Sequence, residues 1–142
     1  MKNSIYIILL ASFGLVCCNN NDDNIDLGNC DFVAIISSEL YKNAPKDQLT
    51  IDNIEINSDC LKIGISSSGC DGGSWELKLI DSGDVLESNP PQRNLKLLLK
   101  NTELCKAYIR KEFTFNIANL RVEGNQVRLN IINADNHILY KY

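Results

Sequence analysis

From residue 30 to the C-terminus, runs in which apolar residues recur at every second position follow one another, with turn residues between them. A chain patterned this way offers one apolar face as a strand, whereas a helix needs its apolar positions three or four apart. The sets are Phe32, Ala34 and Ile36; Leu49 and Ile51, then Ile54 and Ile56 after a phase slip near Asn53 that predicts a bulge; Leu61, Ile63 and Ile65; and Trp75, Leu77 and Leu79. Four more follow: Leu95, Leu97 and Leu99; Ala107, Ile109, Phe113, Phe115 and Ile117, interrupted by Lys111; Val127, Leu129 and Ile131; and Ile138, Tyr140 and Tyr142. Asn57-Ser58-Asp59 and Ala134-Asp135-Asn136 read as hairpin turns, and residues 66–74 and 81–93 as longer loops. Helix is confined to turns around Ser38–Asn43 and Thr102–Lys106.

Seven or eight short antiparallel strands in about 113 residues, each with one apolar face, predict an all-β fold, a two-sheet antiparallel sandwich of immunoglobulin-like architecture. The family-level details of an immunoglobulin domain do not follow. Trp75 lies fifteen residues after Cys60, but Glu103 stands where a tyrosine corner needs Tyr, and 45 residues from Cys60 to Cys105 is short for that family's bridge. Trp75 reads as core.

The N-terminus is organised differently. Lys2 precedes an apolar run of twelve residues, Ile5 to Val16, and then the pair Cys17-Cys18. Such a run is too short to cross a bilayer, which takes about 20 helical residues, and has the layout of a secretory signal peptide. Leu15-Val16-Cys17-Cys18 resembles the lipobox of bacterial lipoproteins, in which Leu stands three residues before the modified cysteine and a small residue directly before it. With Cys18 as acceptor the Leu falls in place. With Cys17 as acceptor, Gly14 would occupy the Leu position and Val16 the small-residue position. The resemblance implies a diacylglyceryl thioether on Cys18, cleavage before it, and a further acyl chain on the new amino terminus. Two or three acyl chains make a lasting membrane anchor where one does not. The expected organisation is a signal peptide at 1–17, lipidated Cys18 and a tether over 18–29, and the sandwich domain over 30–142.

Asn19 to Asn29 has almost nothing to bury and reads as a tether of about 17 to 20 Å on average, roughly 36 to 40 Å when stretched. A polar, acidic segment directly after the lipidated cysteine resembles the surface-export signal of Bacteroidota lipoproteins. This implies the outer leaflet of the outer membrane, with the periplasmic face as second choice. Asp22, Asn24 and Asp26 have the spacing of a calcium loop, but Gly28 comes one place late and Val33 stands where the closing Glu belongs, so a solvated tether is the reading kept.

With Cys17 removed and Cys18 acylated, Cys30, Cys60, Cys70 and Cys105 remain, an even number in an oxidising compartment. Four cysteines allow three connectivities. If Leu61 to Ser66 is a strand, Cys60 and Cys70 lie roughly 20 Å apart at its ends, beyond the reach of a disulfide, so two connectivities stay open. Cys30 with Cys60 and Cys70 with Cys105 is the expected pair. A zinc site is disfavoured because no Cys-x-x-Cys occurs.

No catalytic constellation is marked. His137 is the only histidine, each mature cysteine has a structural use, and Gly69-Cys70-Asp71-Gly72-Gly73-Ser74 lacks the lysine and helix of a phosphate loop. Carboxylates are abundant without a cleft to pair them. No cofactor and no metal are expected, and a net charge of −4 argues against nucleic acid as partner.

Charge is unevenly spread. Arg93, Lys96, Lys100, Lys106, Arg110 and Lys111 face one acid, Glu103, while residues 22–59 carry nine acids against Lys42 and Lys46. Basic edge strands that discourage aggregation explain this pattern, and so does a basic face for an anionic partner. Pro90, Pro91, Gln92, Arg93, Lys96, Lys100, Arg110 and Lys111 are the candidate partner-binding residues, with Glu87 to Arg93 as a stiff projecting loop. The chain as a whole resembles the small outer-membrane lipoproteins of Bacteroidota, which implies an address without an activity. The expected function is a membrane-anchored, non-catalytic envelope protein that binds another protein or an envelope component. The alternatives are an immunity or inhibitor lipoprotein acting on a toxin or protease, and an envelope glycan or lipid hydrolase. Mass spectrometry of the mature protein should give an acylated N-terminal peptide beginning at Cys18; one beginning at Cys17 would refute the assignment.

Overall fold

The computed structural model describes residues 28–44, 49–134 and 136–142. The signal segment 1–17, Cys18 and the tether up to Leu27 lie outside the described residues, as does Asp135 of the second expected hairpin turn. In chain order the elements are β1 (Phe32–Val33), β2 (Ile35–Ile36), helix α1 (Ser38–Asn43), β3 (Thr50–Asn57), β4 (Cys60–Gly69), β5 (Glu76–Leu86), β6 (Gln92–Lys100), β7 (Ala107–Asn116), β8 (Gln126–Ile131) and β9 (Asn136–Lys141). They form a four-stranded sheet, β1-β7-β4-β3, and a five-stranded sheet, β2-β5-β6-β8-β9, packed as a sandwich.

The alternating residues meet between the sheets. Leu61, Ile63 and Ile65 of β4 and Phe115 of β7 are fully buried against Leu79, Leu95, Leu97 and Leu129 of the opposite sheet. The bulge expected near Asn53 is present, since the β3–β4 register shifts between Ile51 and Asn53. Asn53 then folds over Gly64, where a Cβ would sit 1.7 Å from its Oδ1, so only glycine fits. Helix α1 begins where Ser37 Oγ accepts the Leu40 N–H at 3.3 Å, an N-cap, with Glu39 in the first turn.

Four expectations need correction. The strands number nine, because the first apolar set is divided: Phe32 and Val33 pair with Phe115 and Asn116, and Ile35 and Ile36 pair with Ile80 and Asp81 of the other sheet. Ala34 sits buried at the switch, while Phe32 and Ile36 are at the surface. Both of these pairings are parallel, as is β6 with β8, so the sheets are mixed rather than antiparallel throughout. Alternation reports which face is buried and is silent on the direction of the neighbouring strand. The loops expected at 66–74 and 81–93 are shorter, since β4 continues to Gly69 and β5 to Leu86 across a second register shift after Asp81. Finally, residues 102–106 form an irregular loop and not a helical turn.

The disulfides are Cys30–Cys60 and Cys70–Cys105, with Cα separations of 5.8 and 4.8 Å. They lie at opposite ends of β4. A strand of this length runs about 30 Å. Leu97→Ala, at the centre of the core, should lower unfolding free energy by about 2–5 kcal/mol in urea titration. A change under about 1 kcal/mol there would contradict the packing described.

Candidate functional site

Strand β6 carries the candidate residues from one end of the sandwich to the other, so a stretch contiguous in sequence is not a contiguous surface. At its start, Pro91 O accepts the Arg128 N–H at 2.8 Å, and Gln92 spans Ser88 Oγ and Asn130 Nδ2 at 2.9 and 3.1 Å. Pro90 follows a cis peptide bond in the β5–β6 loop. Arg93 is 6% exposed, on the inner face of the sheet, with Nε 3.2 Å from Asp81 Oδ2. Asp81 is wholly buried. Desolvation pushes its carboxyl pKa up, and the Gly83 N–H and Arg93 pull in the opposite direction. Lys96 is 7% exposed under α1, its Nζ donating to Tyr41 O at 2.6 Å and lying over the Tyr41 ring.

The remaining candidates gather at the other end. Lys100 ends β6, paired with Glu76 at 2.8 Å on the surface. Arg110 is exposed beside Tyr108 and lies 3.8 Å from Asp52. Lys111 leaves the inner face of β7 to donate to Gly72 O at 2.7 Å. Arg93 and Lys96 are thus spent on internal partners, and Lys100, Lys106 and Arg110 stay at the surface.

Between Lys100 and Ala107 runs the loop that the Cys70–Cys105 bridge fastens to the glycine-rich segment. The fastening is also electrostatic. Glu103 Oε2 accepts the N–H groups of Cys70 at 2.5 Å, Gly72 at 3.0 Å and Asp71 at 3.2 Å, and Oε1 accepts from Ser74 N and Oγ at 3.2 Å each. Consecutive main-chain N–H groups curved round an anion form a nest, and here the anion is supplied by the chain itself. Gly72 makes the curve possible with φ +68°. Partial desolvation raises the Glu103 pKa, but the N–H groups of Gly72, Cys70, Ser74 and Asp71 outweigh it and hold the carboxyl down at about 2. Asn101 completes the frame, donating to Ser68 O at 2.6 Å and accepting the Glu103 N–H at 2.9 Å.

What this frame presents is apolar. Leu104 is 95% exposed and Tyr108 64% exposed, with Thr102, Cys105, Lys106 and Ala107 also at the surface. Sequence reasoning passed over Leu104, which belongs to no alternating set. The available signal was a lone leucine between an acid in a run of cations and a cysteine.

The opposite end holds the β3–β4 turn, with Ser58 at φ 53°, and the first described residues, Gly28–Cys30, which line a concavity of about 430 Å³ with it. Asp59 there accepts from Tyr140 Oη and from Arg121 Nη2 at 2.6 Å, tying the turn to β9. The Tyr140 hydrogen bond leads in lowering the Asp59 pKa, and burial leads in raising the Tyr140 phenol to about 12. His137 is exposed on β9 opposite Asn130. The cleft of about 520 Å³ beside β1 and β2 is lined by Val33, Ala34, Ile35, Ile36, Ala118 and the amides Asn116 and Asn119. Among the described residues, no group of three His, Cys, Asp or Glu side chains is placed to hold a metal, and no helix is long and apolar enough to cross a membrane.

The nest makes a pH prediction. Because the folded pKa of Glu103 lies below its ordinary value of 4.5, its stabilisation is full above about pH 5 and is lost as pH falls towards 2. The difference in thermal midpoint between wild type and Glu103→Gln should therefore be constant from pH 7 to about 5 and shrink below that. A difference independent of pH would remove the ionised carboxylate from the account.

No family model matches the chain, and no curated protein matches it. Among solved structures, a protein of unknown function from Bacteroides vulgatus, DUF1344, is similar over 78% of this chain and 55% of its own, at 12% identity and a TM-score of 0.48. A protein from Parabacteroides distasonis, provisionally named as toxin-related, is similar over 78% of this chain and 60% of its own, at 16% identity and a TM-score of 0.51. The chain therefore spans 55 to 60% of the length of these two structures, and its likeness to the second is one of fold.

Proposed function

We propose that the chain is a membrane-anchored, non-catalytic protein of the cell envelope that binds a protein partner with the end of the sandwich opposite its attachment. The observation carrying this reading is the opposition of the two ends. Gly28–Cys30 lie beside the β3–β4 turn at one end of β4, and the loop held by Cys70–Cys105 lies at the other. A lipid on Cys18 would attach the first end to the bilayer through the tether and leave Leu104, Lys106 and Tyr108 at the end remote from the attachment. Tyr140 and Arg121 are hydrogen-bonded to Asp59, Ser66 to Asp52 and Arg93 to Asp81, three separate groups that tie elements of the sandwich together.

The second reading, an inhibitor or immunity lipoprotein, is favoured by one observation: the 101–106 loop holds an exposed Leu104 between Glu103, bonded into the nest, and Cys105, bonded to Cys70. The loop Glu87 to Arg93 serves that role less well, since Gln92 and Arg93 are tied inward. The fold shared with a protein named as toxin-related is compatible with this reading and carries no more than that.

Labelling of intact cells with a membrane-impermeant amine reagent tests the arrangement. Lys100 and Lys106 should be modified without permeabilisation, and faster than Lys96, which α1 covers. Modification only after the outer membrane is opened would overturn the surface location.

A further inference from the structure

We propose that Asn101–Lys106 is an inhibitory loop for serine endopeptidases whose primary pocket takes a leucine-sized apolar side chain, with Leu104 as the residue that enters it. The inference deepens the inhibitor reading above by naming the site and the class of partner.

Three observations carry it. Leu104 is 95% exposed, yet its two neighbours are fixed: Glu103 by five hydrogen bonds into the nest, and Cys105 by its disulfide to Cys70. A side chain held out on a braced loop loses little freedom on entering a pocket, and such preorganisation is where tight inhibitors gain affinity. Among the described residues, the main-chain groups of Leu104 and Cys105 have no hydrogen-bond partner. They are open to edge-on pairing with a cleft that binds extended peptide. Lys106, exposed two residues after the leucine, adds positive charge to the loop, so a partner with carboxylates around its pocket associates faster at low salt.

The same bracing opposes cleavage. If the enzyme's serine hydroxyl attacks the Leu104 carbonyl carbon, an ester bond forms, the Leu104–Cys105 C–N bond breaks, and the hydroxyl proton passes through the enzyme's histidine to the departing Cys105 amine. That amine remains bonded through Cys105 to Cys70, and the acyl side remains held through Glu103. The amine stays beside the ester it left, and resealing competes with hydrolysis.

The test uses the full chain with both disulfides formed, titrated into chymotrypsin, subtilisin and trypsin with small chromogenic substrates. Wild type should inhibit chymotrypsin or subtilisin with a Kd below about 1 μM and leave trypsin free, since trypsin's pocket takes cations. Leu104→Arg should weaken that inhibition about 100-fold and create inhibition of trypsin. The thermal midpoint of this variant should match wild type, because Leu104 is 95% exposed. Glu103→Gln should turn the chain towards a substrate, with cleavage after Leu104 about ten times faster. No inhibition by wild type at about 10 μM, inhibition that Leu104→Arg leaves unchanged, or rapid turnover at Leu104 in wild type would each overturn the proposal. The assay needs no membrane, so such a failure leaves the result of the surface labelling standing by itself.

Discussion

Strand β4 lies inside its sheet, hydrogen-bonded to β3 on one side and β7 on the other, and covalent bonds close on both its ends. Each bridge closes a loop of thirty-odd residues, which in the chain-entropy picture stabilises a fold by about 3 to 4 kcal/mol. Their positions matter as much as their number. The Cys30 bridge fixes the incoming chain just before β1 and β2, whose two-residue pairings could not hold it alone. The Cys70 bridge fixes two loops that have no strand partner at all. A small sandwich stapled at one end only would leave the other free to fray, and here neither end is free.

Polar groups inside and around the sandwich mostly serve the same purpose. Asp81 and Arg93 pair on the inner face, where either one alone would be an uncompensated buried charge. Tyr140 and Arg121 draw Asp59 and its turn onto the last strand, and Glu103 fills the cavity of N–H groups that the glycine-rich segment would otherwise leave to solvent. A chain that looks rich in ionisable groups therefore presents fewer of them than its composition suggests. Among its large apolar side chains, Leu104 is presented almost completely, at 95% exposure.

The sandwich was legible because burial of one face imposes a period of two, and that period runs through nearly every strand. The disulfide pairing was legible in part for a related reason: an extended Leu61–Ser66 forces Cys60 and Cys70 apart, which removes one connectivity, while the choice between the other two came from the structure. Strand direction was not legible, because Ile35 beside Ile80 has the same alternation whether the pair is parallel or antiparallel. The split at Ala34 was hidden for the same reason, since a strand that changes sheets keeps its pattern. The basic stretch misled because linear proximity along a strand is spatial separation: Arg93 and Lys100 are seven residues apart in sequence and belong to opposite ends of β6. Glu103 stood out only as one acid among cations and Leu104 only as a lone leucine, because their roles depend on a loop about thirty residues earlier in the chain.

In the proposed arrangement, attachment and binding occupy opposite ends of one stapled sandwich. This is tested most directly by placing a fluorophore at position 58 in one sample and at position 104 in another. The lipidated protein is then reconstituted into vesicles carrying an acceptor in the headgroup layer, and energy transfer is measured. Transfer should be strong from position 58 and weak from position 104, the two labels being separated along the sandwich by about the 30 Å length of β4. Equal transfer, or stronger transfer from position 104, would contradict it.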